Sequence, residues 1–501
     1  MAVLVFQADP WTAGPPDAAE YGDPAWFRFG PDAGLFGPLA WSTEAERGFD
    51  WTDLAFFTKY VHMLRLTALD GTGFTADLGA YGDGASVVAV TGQGFEYLWP
   101  WPGASAGPSL TGGTVSGFSG TIQGRASFSI TGLSVPVESL KAFASRMDAA
   151  ALVEANDLLL AGDDLIVGSG RDDALRGGPG DDSLVGGAGD DVLDGGAGRD
   201  TVDMGDTGFR GAGVSASGGV LTVTSAAGTD TLANVEVVTF ADGRLVFATD
   251  DPAAQVVRLY EAALDRTPEQ GGLNFWIDAV QHGRPLAELA QCFLDSAEFH
   301  ARFGDTTGTN GAFVDRLYHN VLGREGDIQG YAYWSKAVGY GMGRADVLAA
   351  FSESAENKAA TAALVQNGIW DRSEAAAGVA SLYDTVFDRL PDAPGLAFWK
   401  EAIEAGRANL FDIGSAFLDS AEARGRYGHA SNRDFVDAMY INALGHQADQ
   451  VDLDRWVNYF NGKLATRTAV VLKLSESAEH AALTAADIQS ENPGEFGVLF
   501  A

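Results

Sequence analysis

Five aspartates recur at a spacing of nine residues in the middle of the chain. They are Asp164, Asp173, Asp182, Asp191 and Asp200. An ionised carboxylate offers two hard oxygen acceptors and no donor, which suits Ca²⁺, a cation that takes about six to eight oxygen ligands from carboxylates and backbone carbonyls. Mg²⁺ fits such a site less well, because it demands near-octahedral geometry and gives up water reluctantly. The row of aspartates therefore predicts calcium binding.

These aspartates belong to a nine-residue repeat that occupies residues 159–203. The five units read LLAGDDLIV, GSGRDDALR, GGPGDDSLV, GGAGDDVLD and GGAGRDTVD. Position six is always Asp and position four is Gly except at Arg171. Position eight is always aliphatic: Ile166, Leu175, Leu184, Leu193 and Val202. Three columns in register predict a repeating structure, whereas a disordered acidic linker would not need the aliphatic column.

A stack of short coils would position these aspartates for metal binding. Glycines accept positive φ, so each GGxGxD segment can curl into a tight loop before a short strand whose central aliphatic side chain points inward. Two such half-turns make one coil of 18 residues, and parallel strands stack about 4.8 Å apart. Asp164 then lies over Asp182, Asp173 over Asp191, and Asp182 over Asp200.

Stacked carboxylates repel one another by roughly 3 kcal/mol per pair at about 5 Å and an effective dielectric near 20, so the column requires cations between its members. The stacked pairs predict about three calcium sites, formed by the five aspartates. Backbone carbonyls near the loop glycines are expected to supply further ligands: Gly162, Gly178, Gly180, Gly187, Gly189, Gly196 and Gly198.

The nonapeptide resembles the GGxGxDxUx repeat of the repeats-in-toxin (RTX) family of calcium-binding secreted proteins. The resemblance implies a parallel β-roll, export in one step by a type I (ABC-type) system, and folding of the exported chain on extracellular calcium. It also implies a location outside a Gram-negative bacterium or on its surface. The start of the chain, MAVLVFQADPWTAG, does not read as a secretory signal, and the end, SENPGEFGVLFA, is a candidate export signal.

The C-terminal half carries a second, longer repeat with helical periodicity. Four units align on a tyrosine and on a tryptophan 16 residues later: Tyr260 with Trp276, Tyr318 with Trp334, Tyr383 with Trp399, and Tyr440 with Trp456. These aromatic columns are predicted to be core. A Ser-Ala-Glu sequence follows in each unit, and Ser296 is expected to cap a short helix after three longer ones. Arg266, Arg324 and Arg389, replaced by His446 in the last unit, are predicted to pair with nearby carboxylates.

This half is similar to a helical domain family of unassigned function that occurs in tandem in bacterial surface-layer and secreted calcium-binding proteins. Residues 378–428 carry its signature most fully, with LYDTVFDRLPDAPGLAFW followed by FLDSAE. The resemblance implies an all-α fold and no reaction.

The first 135 residues read as a mainly β domain, because alternating runs such as LRLTALDG, SVVAVTG and ASFSITG predict strands. Six of the 11 tryptophans lie in this region: Trp11, Trp26, Trp41, Trp51, Trp99 and Trp101. They are predicted to be core residues, with stacking on sugar rings as the alternative.

The predicted fold class is multidomain, with an N-terminal mainly-β domain, a short parallel β-roll with a β cap, and an all-α tandem-repeat half. The predicted boundaries are 1–135 for the Trp-rich β domain, 136–158 for a helical lead-in, 159–204 for the calcium roll, 205–249 for the cap, 250–360 and 375–490 for two pairs of helical repeats, and 491–501 for the tail. The cap is expected to cover edge strands at the open end of the roll.

Composition argues against several functions. A formal charge of −36 argues against binding to nucleic acid and to anionic lipid, and no apolar run is long enough for membrane insertion. The single cysteine, Cys292, is predicted to be a small buried hydrophobe and leaves no intrachain disulfide. The zinc-protease motif HExxH is absent, and the GASAG segment around Ser105 lies in a Trp/Pro/Gly loop, not at a nucleophile elbow.

These features predict a non-enzymatic, secreted calcium-binding protein of the bacterial cell surface, acting as an adhesive, matrix or surface-layer component. Its expected partners are calcium ions, surface polysaccharide or like subunits, and the type I export machinery. One alternative is a hydrolase of surface polysaccharide, and another is a polysaccharide-binding fibre of a particle. Either would act through the N-terminal region, and the hydrolase would need an acidic pair from a set in which no spacing stands out: Asp50, Asp53, Asp70, Asp77 and Asp83.

Overall fold

A computed structural model describes residues 3–5, 47–50, 65–70, 73–77, 87–98, 109–122, 125–136, 139, 160–303, 308–485 and 488. The chain forms two compact units. The first comprises Met1–Gly205 with Gly211–Thr239, and the second comprises Asp206–Arg210 with Phe240–Ala501.

In the N-terminal part of the first unit, the residues that the structure describes lie in β strands, in agreement with the predicted mainly-β class. Its strands are β1 (Val3–Val5), β2 (Arg47–Asp50), β3 (Arg65–Asp70), β4 (Gly73–Asp77), β5 (Val87–Leu98), β6 (Ser109–Ile122) and β7 (Arg125–Pro136). Strands β3 to β7 form an antiparallel meander, and β1 pairs antiparallel with β7. The six tryptophans of this region lie outside the described residues, as does the predicted helical lead-in apart from Pro136 and Ser139.

The nonapeptides form a roll of short parallel strands. One sheet contains β8 (Leu165–Val167), β10 (Ser183–Val185), β12 (Thr201–Asp203) and β16 (Val237–Phe240), and the other contains β9 (Asp172–Pro179), β11 (Val192–Ala197) and β15 (Thr229–Ala233). Leu184 is the register partner of Ile166 and of Val202, and Leu193 is the partner of Leu175. Because these partners are 18 residues apart, the predicted coil length is confirmed. Strands β1 and β2 pair parallel with β8 and β9.

The aliphatic column forms the interior of the roll. Each of its side chains is at most 2% exposed: Ile166, Leu175, Leu184, Leu193 and Val202. Full burial of such a side chain contributes about 1.5–3 kcal/mol. This column therefore supplies the apolar stabilisation that holds successive coils together.

A β hairpin is attached to the last coil. Strands β13 (Gly213–Ser217) and β14 (Val220–Thr224) pair antiparallel, and β14 pairs with β15. Gly218 and Gly219 both have positive φ, which a two-residue hairpin turn of this kind requires. Together with β15 and β16, the hairpin forms the predicted β cap.

Among the described residues of the second unit, strands occur as the antiparallel pair β17 (Gly243–Val246) and β18 (Ile369–Arg372), and the other regular elements are helices. Its first two repeats contain α1 (Pro252–Leu264), α2 (Gln270–Gln281), α3 (Leu286–Leu294), α4 (Ala297–Phe303), α5 (Asn310–Leu322), α6 (Ile328–Gly339), α7 (Arg344–Ser352), α8 (Ala355–Ala360) and α9 (Ala362–Gln366). The last two contain α10 (Glu374–Phe387), α11 (Ala393–Glu404), α12 (Leu410–Asp419), α13 (Ala421–Tyr427), α14 (Asn432–Leu444), α15 (Gln450–Asn461), α16 (Arg467–Ser475) and α17 (Ala478–Leu483).

Each repeat has three longer helices followed by a short one, as predicted, and a further short helix, α9, follows the second repeat. The hydroxyl of Ser296 accepts a hydrogen bond from the N–H of Phe299 at 3.1 Å, which satisfies a free donor at the start of α4. Equivalent serines cap α8, α13 and α17: Ser354, Ser420 and Ser477. The Ser-Ala-Glu sequence is thus the capping signal of the short helix.

The aromatic columns lie in the core, which confirms that prediction. The four tyrosines are 3% to 9% exposed: Tyr260, Tyr318, Tyr383 and Tyr440. The four tryptophans are partly buried against two hydrophobic clusters, one for each pair of repeats. Within the described residues, no helix combines the length and apolar character needed to cross a membrane.

Candidate metal centre

The structure buries all five repeat aspartates along the two edges of the roll. Their exposure ranges from 0% to 4%: Asp164, Asp173, Asp182, Asp191 and Asp200. Asp164, Asp182 and Asp200 each precede a strand of one sheet, and Asp173 and Asp191 lie at the corresponding positions of the other sheet. The 18-residue coil therefore stacks the aspartates as the sequence predicts. We call this arrangement the aspartate ladder and each stacked pair a rung.

One carboxylate oxygen of each rung is bonded within the protein. The Oδ1 of Asp182 accepts a hydrogen bond from the N–H of Asp164 at 2.8 Å, and the Oδ1 of Asp200 accepts one from the N–H of Asp182 at 2.9 Å. On the other edge, the Oδ1 of Asp191 accepts from the N–H of Asp173 at 2.8 Å. Each of these three aspartates thus fixes the register of the coil before its own.

The second carboxylate oxygen has a different environment. The Oδ2 atoms of Asp182, Asp191 and Asp200 are buried and accept no hydrogen bond from any group in the described part of the chain. A buried charged oxygen without a partner is costly, so these atoms call for a ligand. Each lies against the first glycine of its own nonapeptide, where a Cβ would overlap it: Gly177, Gly186 and Gly195.

A backbone carbonyl faces the same space. A Cβ on Gly177 would overlap both the Oδ2 of Asp182 and the carbonyl oxygen of Gly195 in the next coil. Both groups only accept hydrogen bonds, so the space suits a cation with hard oxygen ligands and fits Ca²⁺. Among the described residues, no three His, Cys, Asp or Glu side chains converge on one point. A bound ion would therefore take many of its ligands from backbone carbonyls.

Burial shifts the proton affinity of the ladder. The pKa of Asp182 is raised to about 7, because burial and, to a smaller extent, the negative charges of Asp200 and Asp164 outweigh the hydrogen bond from the N–H of Asp164, which lowers the pKa. Burial likewise raises the pKa of Asp191 to about 7 and that of Asp200 to about 6. The protein groups alone do not compensate these charges, and a divalent cation would.

The second nonapeptide, GSGRDDALR, departs from the others at its glycines, and its aspartate is bonded differently. The hydroxyl of Ser169 donates to the Oδ2 of Asp173 at 2.9 Å, and the N–H of Ser169 donates to the same oxygen at 2.5 Å. This oxygen already has partners within its own loop. Asp173 is therefore the repeat aspartate whose Oδ2 has least need of a cation.

The loop glycines predicted to supply carbonyl ligands adopt the backbone conformation that such loops need. All seven have φ between 102° and 146°: Gly162, Gly178, Gly180, Gly187, Gly189, Gly196 and Gly198. At Gly180 a Cβ would also overlap the backbone of Gly162 in the coil before it. Only glycine fits such a position. The role of these carbonyls as ligands stays a prediction.

Two family models match the chain. That of the RTX calcium-binding nonapeptide repeat matches residues 167–202, and that of a domain of unknown function (DUF4214) matches residues 250–303, 290–361 and 414–484. The chain carries RTX repeats and tandem DUF4214 domains. A comparison with curated proteins finds no significant match.

In the structure, both repeat patterns run beyond the matched residues. The RTX match begins at Val167, yet Asp164 and Ile166 already occupy the ladder and the aliphatic column. The DUF4214 matches leave out residues 362–413, although helices α10 and α11 of that segment carry Tyr383 and Trp399 in the same roles as in the other repeats. The third helical repeat therefore has the same helix and aromatic arrangement as the other three.

The RTX loops contain a second aspartate column that the sequence analysis missed. Asp163, Asp172, Asp181 and Asp190 occupy position five, directly before the ladder residue. The Oδ1 of Asp163 accepts from the N–H of Asp181 at 3.0 Å, and the Oδ1 of Asp172 accepts from the N–H of Asp190 at 2.8 Å. These bonds run to the following coil, opposite in direction to those of the ladder. The sequence signal for this second column was the Asp-Asp pair, which is present in four of the five nonapeptides.

The helical repeats contain a recurring cation that pairs with a carboxylate, as predicted, and that also lies over a tyrosine ring. The Nε of Arg266 lies 2.6 Å from an oxygen of Glu298, and its guanidinium lies 5.2 Å from the centre of the Tyr260 ring. Arg324 repeats this with Glu356, and Arg389 repeats it with Glu422. In the last repeat His446 takes the place of arginine, and its Nε2 lies 3.1 Å from an oxygen of Glu479. These are structural ion pairs.

One prediction for the helical half is wrong. Cys292 is exposed, although its helical context suggested burial. Helix α3 turns Leu289, Ala290, Phe293 and Leu294 toward the core, which places residue 292 on the opposite, solvent side. The GASAG segment around Ser105 lies outside the described residues.

Proposed function

We propose that this protein is secreted, folds on extracellular calcium and acts at the bacterial cell surface as an adhesive, matrix or surface-layer component. The observation that carries the proposal is the row of buried Oδ2 atoms of Asp182, Asp191 and Asp200, which accept no hydrogen bond from the described residues. A roll with this interior needs divalent cations to be stable. The ladder aspartates would hold about three calcium ions, with carbonyls of the loop glycines as further ligands.

Calcium would act here as a folding partner and would supply charge compensation to the ladder. Calcium sites of extracellular modules typically have dissociation constants of about 0.1–1 mM, far above the range of cytosolic calcium buffers. A ladder of that affinity would stay unfilled inside the cell and fill outside it, so the chain would remain unfolded until export. This agrees with the type I export that the RTX resemblance implies.

The surface role rests on a combination of parts. The chain has a calcium-dependent roll, tandem helical repeats that lack an assigned reaction, and a strong negative charge that repels nucleic acid and anionic lipid. Surface polysaccharide and like subunits are the partners we propose for it. A binding assay with capsule or matrix glycans tests this role, since saturable binding supports it and turnover of the glycan supports the alternative hydrolase.

The calcium proposal is tested by titrating the full chain, freed of metal by a chelator, with Ca²⁺ and with Mg²⁺ as the control. Far-UV circular dichroism should report a gain of β structure with Ca²⁺ and little with Mg²⁺, and calorimetry should report the number of ions bound. Equal β structure in chelator and in calcium would contradict the proposal.

A further inference from the structure

We propose that the β cap completes the calcium sites at the buried Oδ2 atoms of Asp191 and Asp200, with Asp230 and Glu236 as their further carboxylates. This inference rests on the proposed calcium binding of the ladder. It concerns residues that lie beyond the matched RTX repeats, which end at Val202.

The first of these residues belongs to a half-turn that the hairpin separates from the nonapeptides. Residues 225–233 read SAAGTDTLA, with Gly228, Asp230 and Leu232 at positions four, six and eight of the repeat. Leu232 is the register partner of Leu193 and is 1% exposed, so it continues the aliphatic column. Asp230 is 5% exposed and follows Asp191 along its edge of the roll. In the chain, strands β13 and β14 lie between the last nonapeptide and the half-turn that contains Asp230.

The second residue belongs to a shorter half-turn. Val238 is the register partner of Val202 and is fully buried, which places it at position eight of the repeat. Glu236, two residues earlier, then occupies the ladder position, and Asn234 occupies the position of the loop glycine. Asn234 has φ of 51°, a left-handed conformation that asparagine tolerates better than most residues.

Asp230 and Glu236 both accept the backbone hydrogen bond that is found in the rungs of the ladder. The Oδ1 of Asp230 accepts from the N–H of Asp191 at 3.0 Å, and the Oε2 of Glu236 accepts from the N–H of Asp200 at 2.8 Å. These bonds repeat those that Asp182 and Asp200 accept from the coils before them. The ladder therefore continues for one step into the cap on each edge.

The cap also faces the buried oxygens that lack partners. The Oδ2 of Asp200 lies 2.7 Å from the position that a Cβ of Gly195 would take, and the carbonyl oxygen of Asn234 would overlap the same Cβ. One coil earlier, the Oδ2 of Asp182 and the carbonyl of Gly195 flank Gly177 in the same way. The cap thus presents a carboxylate and a carbonyl in the arrangement of an internal rung. On the other edge, Asp191 has a buried Oδ2 that accepts no hydrogen bond from the described residues.

Calorimetric calcium titration of the full chain tests this inference through Asp230→Asn and Glu236→Gln. Both substitutions keep an oxygen that can accept the rung hydrogen bond and remove the charge that a cation would bind. Each variant should lose one site, or bind one ion at least tenfold more weakly, and the double variant should lose both. Asp206→Asn, which removes the same charge from an exposed residue outside the ladder, should titrate like the native protein.

A second pair of variants tests the carbonyl. Asn234→Gly keeps both the backbone carbonyl and the positive φ, whereas Asn234→Val disfavours that φ because its side chain is β-branched. Calcium affinity should stay within about twofold of native for the glycine variant and fall at least tenfold for the valine variant. Circular dichroism at saturating calcium confirms that each variant folds.

The outcomes separate this inference from the proposed function. If the cap variants titrate like the native protein while Asp182→Asn loses sites, the inference is overturned and calcium binding by the nonapeptides stands. If Asp182→Asn also leaves the titration unchanged, both fail. A fall in both Asn234 variants would overturn the role of the carbonyl and assign the effect to the bond between its amide and Asp194.

Discussion

Asp182 takes part in two rungs, because its N–H donates to Asp200 while its own Oδ1 accepts from the N–H of Asp164. Asp164 begins the nonapeptide ladder on that edge. We therefore expect Asp182→Ala to weaken calcium binding and the calcium-stabilised fold more than Asp164→Ala does. One calcium site contributes about 4 kcal/mol when free calcium is about a thousandfold above its dissociation constant. Urea unfolding in saturating calcium measures the difference, and equal losses for the two variants would contradict the 18-residue coil.

His446 replaces the arginine of the other three repeats with a group that titrates. Its Nδ1 lies 2.8 Å from the carbonyl oxygen of Gln447 and its Nε2 lies 3.1 Å from an oxygen of Glu479. Both partners only accept hydrogen bonds, so both nitrogens are satisfied only when the ring is protonated. The bond to the Gln447 carbonyl, and then that to Glu479, raises the pKa of His446 above its usual value.

This shift predicts a pH dependence confined to the last repeat. Because the folded pKa of His446 is raised, its pair contributes fully below the unfolded pKa of about 6.5, and the contribution is lost as pH rises through the folded value. NMR titration of the histidine resonances should show a raised pKa for His446 that falls toward normal in Glu479→Gln. His446→Arg should remove this pH dependence. An unchanged pKa in Glu479→Gln would show that the carboxylate has no part in the shift.

The first glycine of a nonapeptide is needed because it leaves space for neighbouring atoms, not because of its φ angle. Gly177 does not have the positive φ of Gly178, yet a Cβ there would overlap the Oδ2 of Asp182 and the carbonyl of Gly195. We expect Gly177→Ala to lower calcium affinity at least tenfold and to destabilise the roll by about 1–3 kcal/mol, as overpacking does. Gly170→Ala is the matched control, since its Cβ would meet nothing within 4 Å. Calcium titration and urea unfolding compare the Gly177→Ala and Gly170→Ala variants. Equal effects of the two substitutions would argue against the conclusion that the space beside Gly177 is occupied.

Sequence periodicity predicted the elements that depend on one repeated interaction. The 18-residue coil followed from the columns of Asp and aliphatic residues, and the short helices followed from Ser-Ala-Glu, because each pattern has a single physical cause that recurs. The cap rungs could not be predicted this way. Asp230 lies 39 residues after Asp191, which is not a multiple of nine, and Glu236, 36 residues after Asp200, is a glutamate that follows Asn234 where the repeat has aspartate and glycine.

Cys292 shows a different limit of prediction from sequence. An amphipathic pattern shows that a helix has an apolar face, but the orientation of that face at one position depends on the neighbouring helices, and Cys292 falls on the solvent side. The fourth helical repeat shows the same dependence on packing. In the first three repeats, a glycine leaves room for the tyrosine hydroxyl: Gly272, Gly330 and Gly395. The fourth repeat has Asp452 at this position, and its carboxylate accepts a hydrogen bond from the hydroxyl of Tyr440 at 2.9 Å. Such compensation involves contacts that no spacing in the sequence encodes.

At the scale of the whole molecule, the two units should respond differently to calcium. The ladder lies within the first unit, whereas the helical repeats of the second unit have their own apolar clusters and structural ion pairs. Removal of calcium from the full chain by a chelator should therefore abolish the β contribution of the roll while the helical signal at 222 nm persists.

Urea unfolding of the full chain should show this as two transitions. The transition of the roll should move to higher urea as free calcium increases, by about 1.4 kcal/mol per bound site for each tenfold increase above the dissociation constant. The helical transition should keep its midpoint. Native chain titrated with Mg²⁺ is the control for ionic strength. A helical midpoint that rises with calcium together with that of the roll would show that calcium stabilises the helical repeats as well. A roll transition that does not change with calcium would contradict the proposed calcium binding by the ladder.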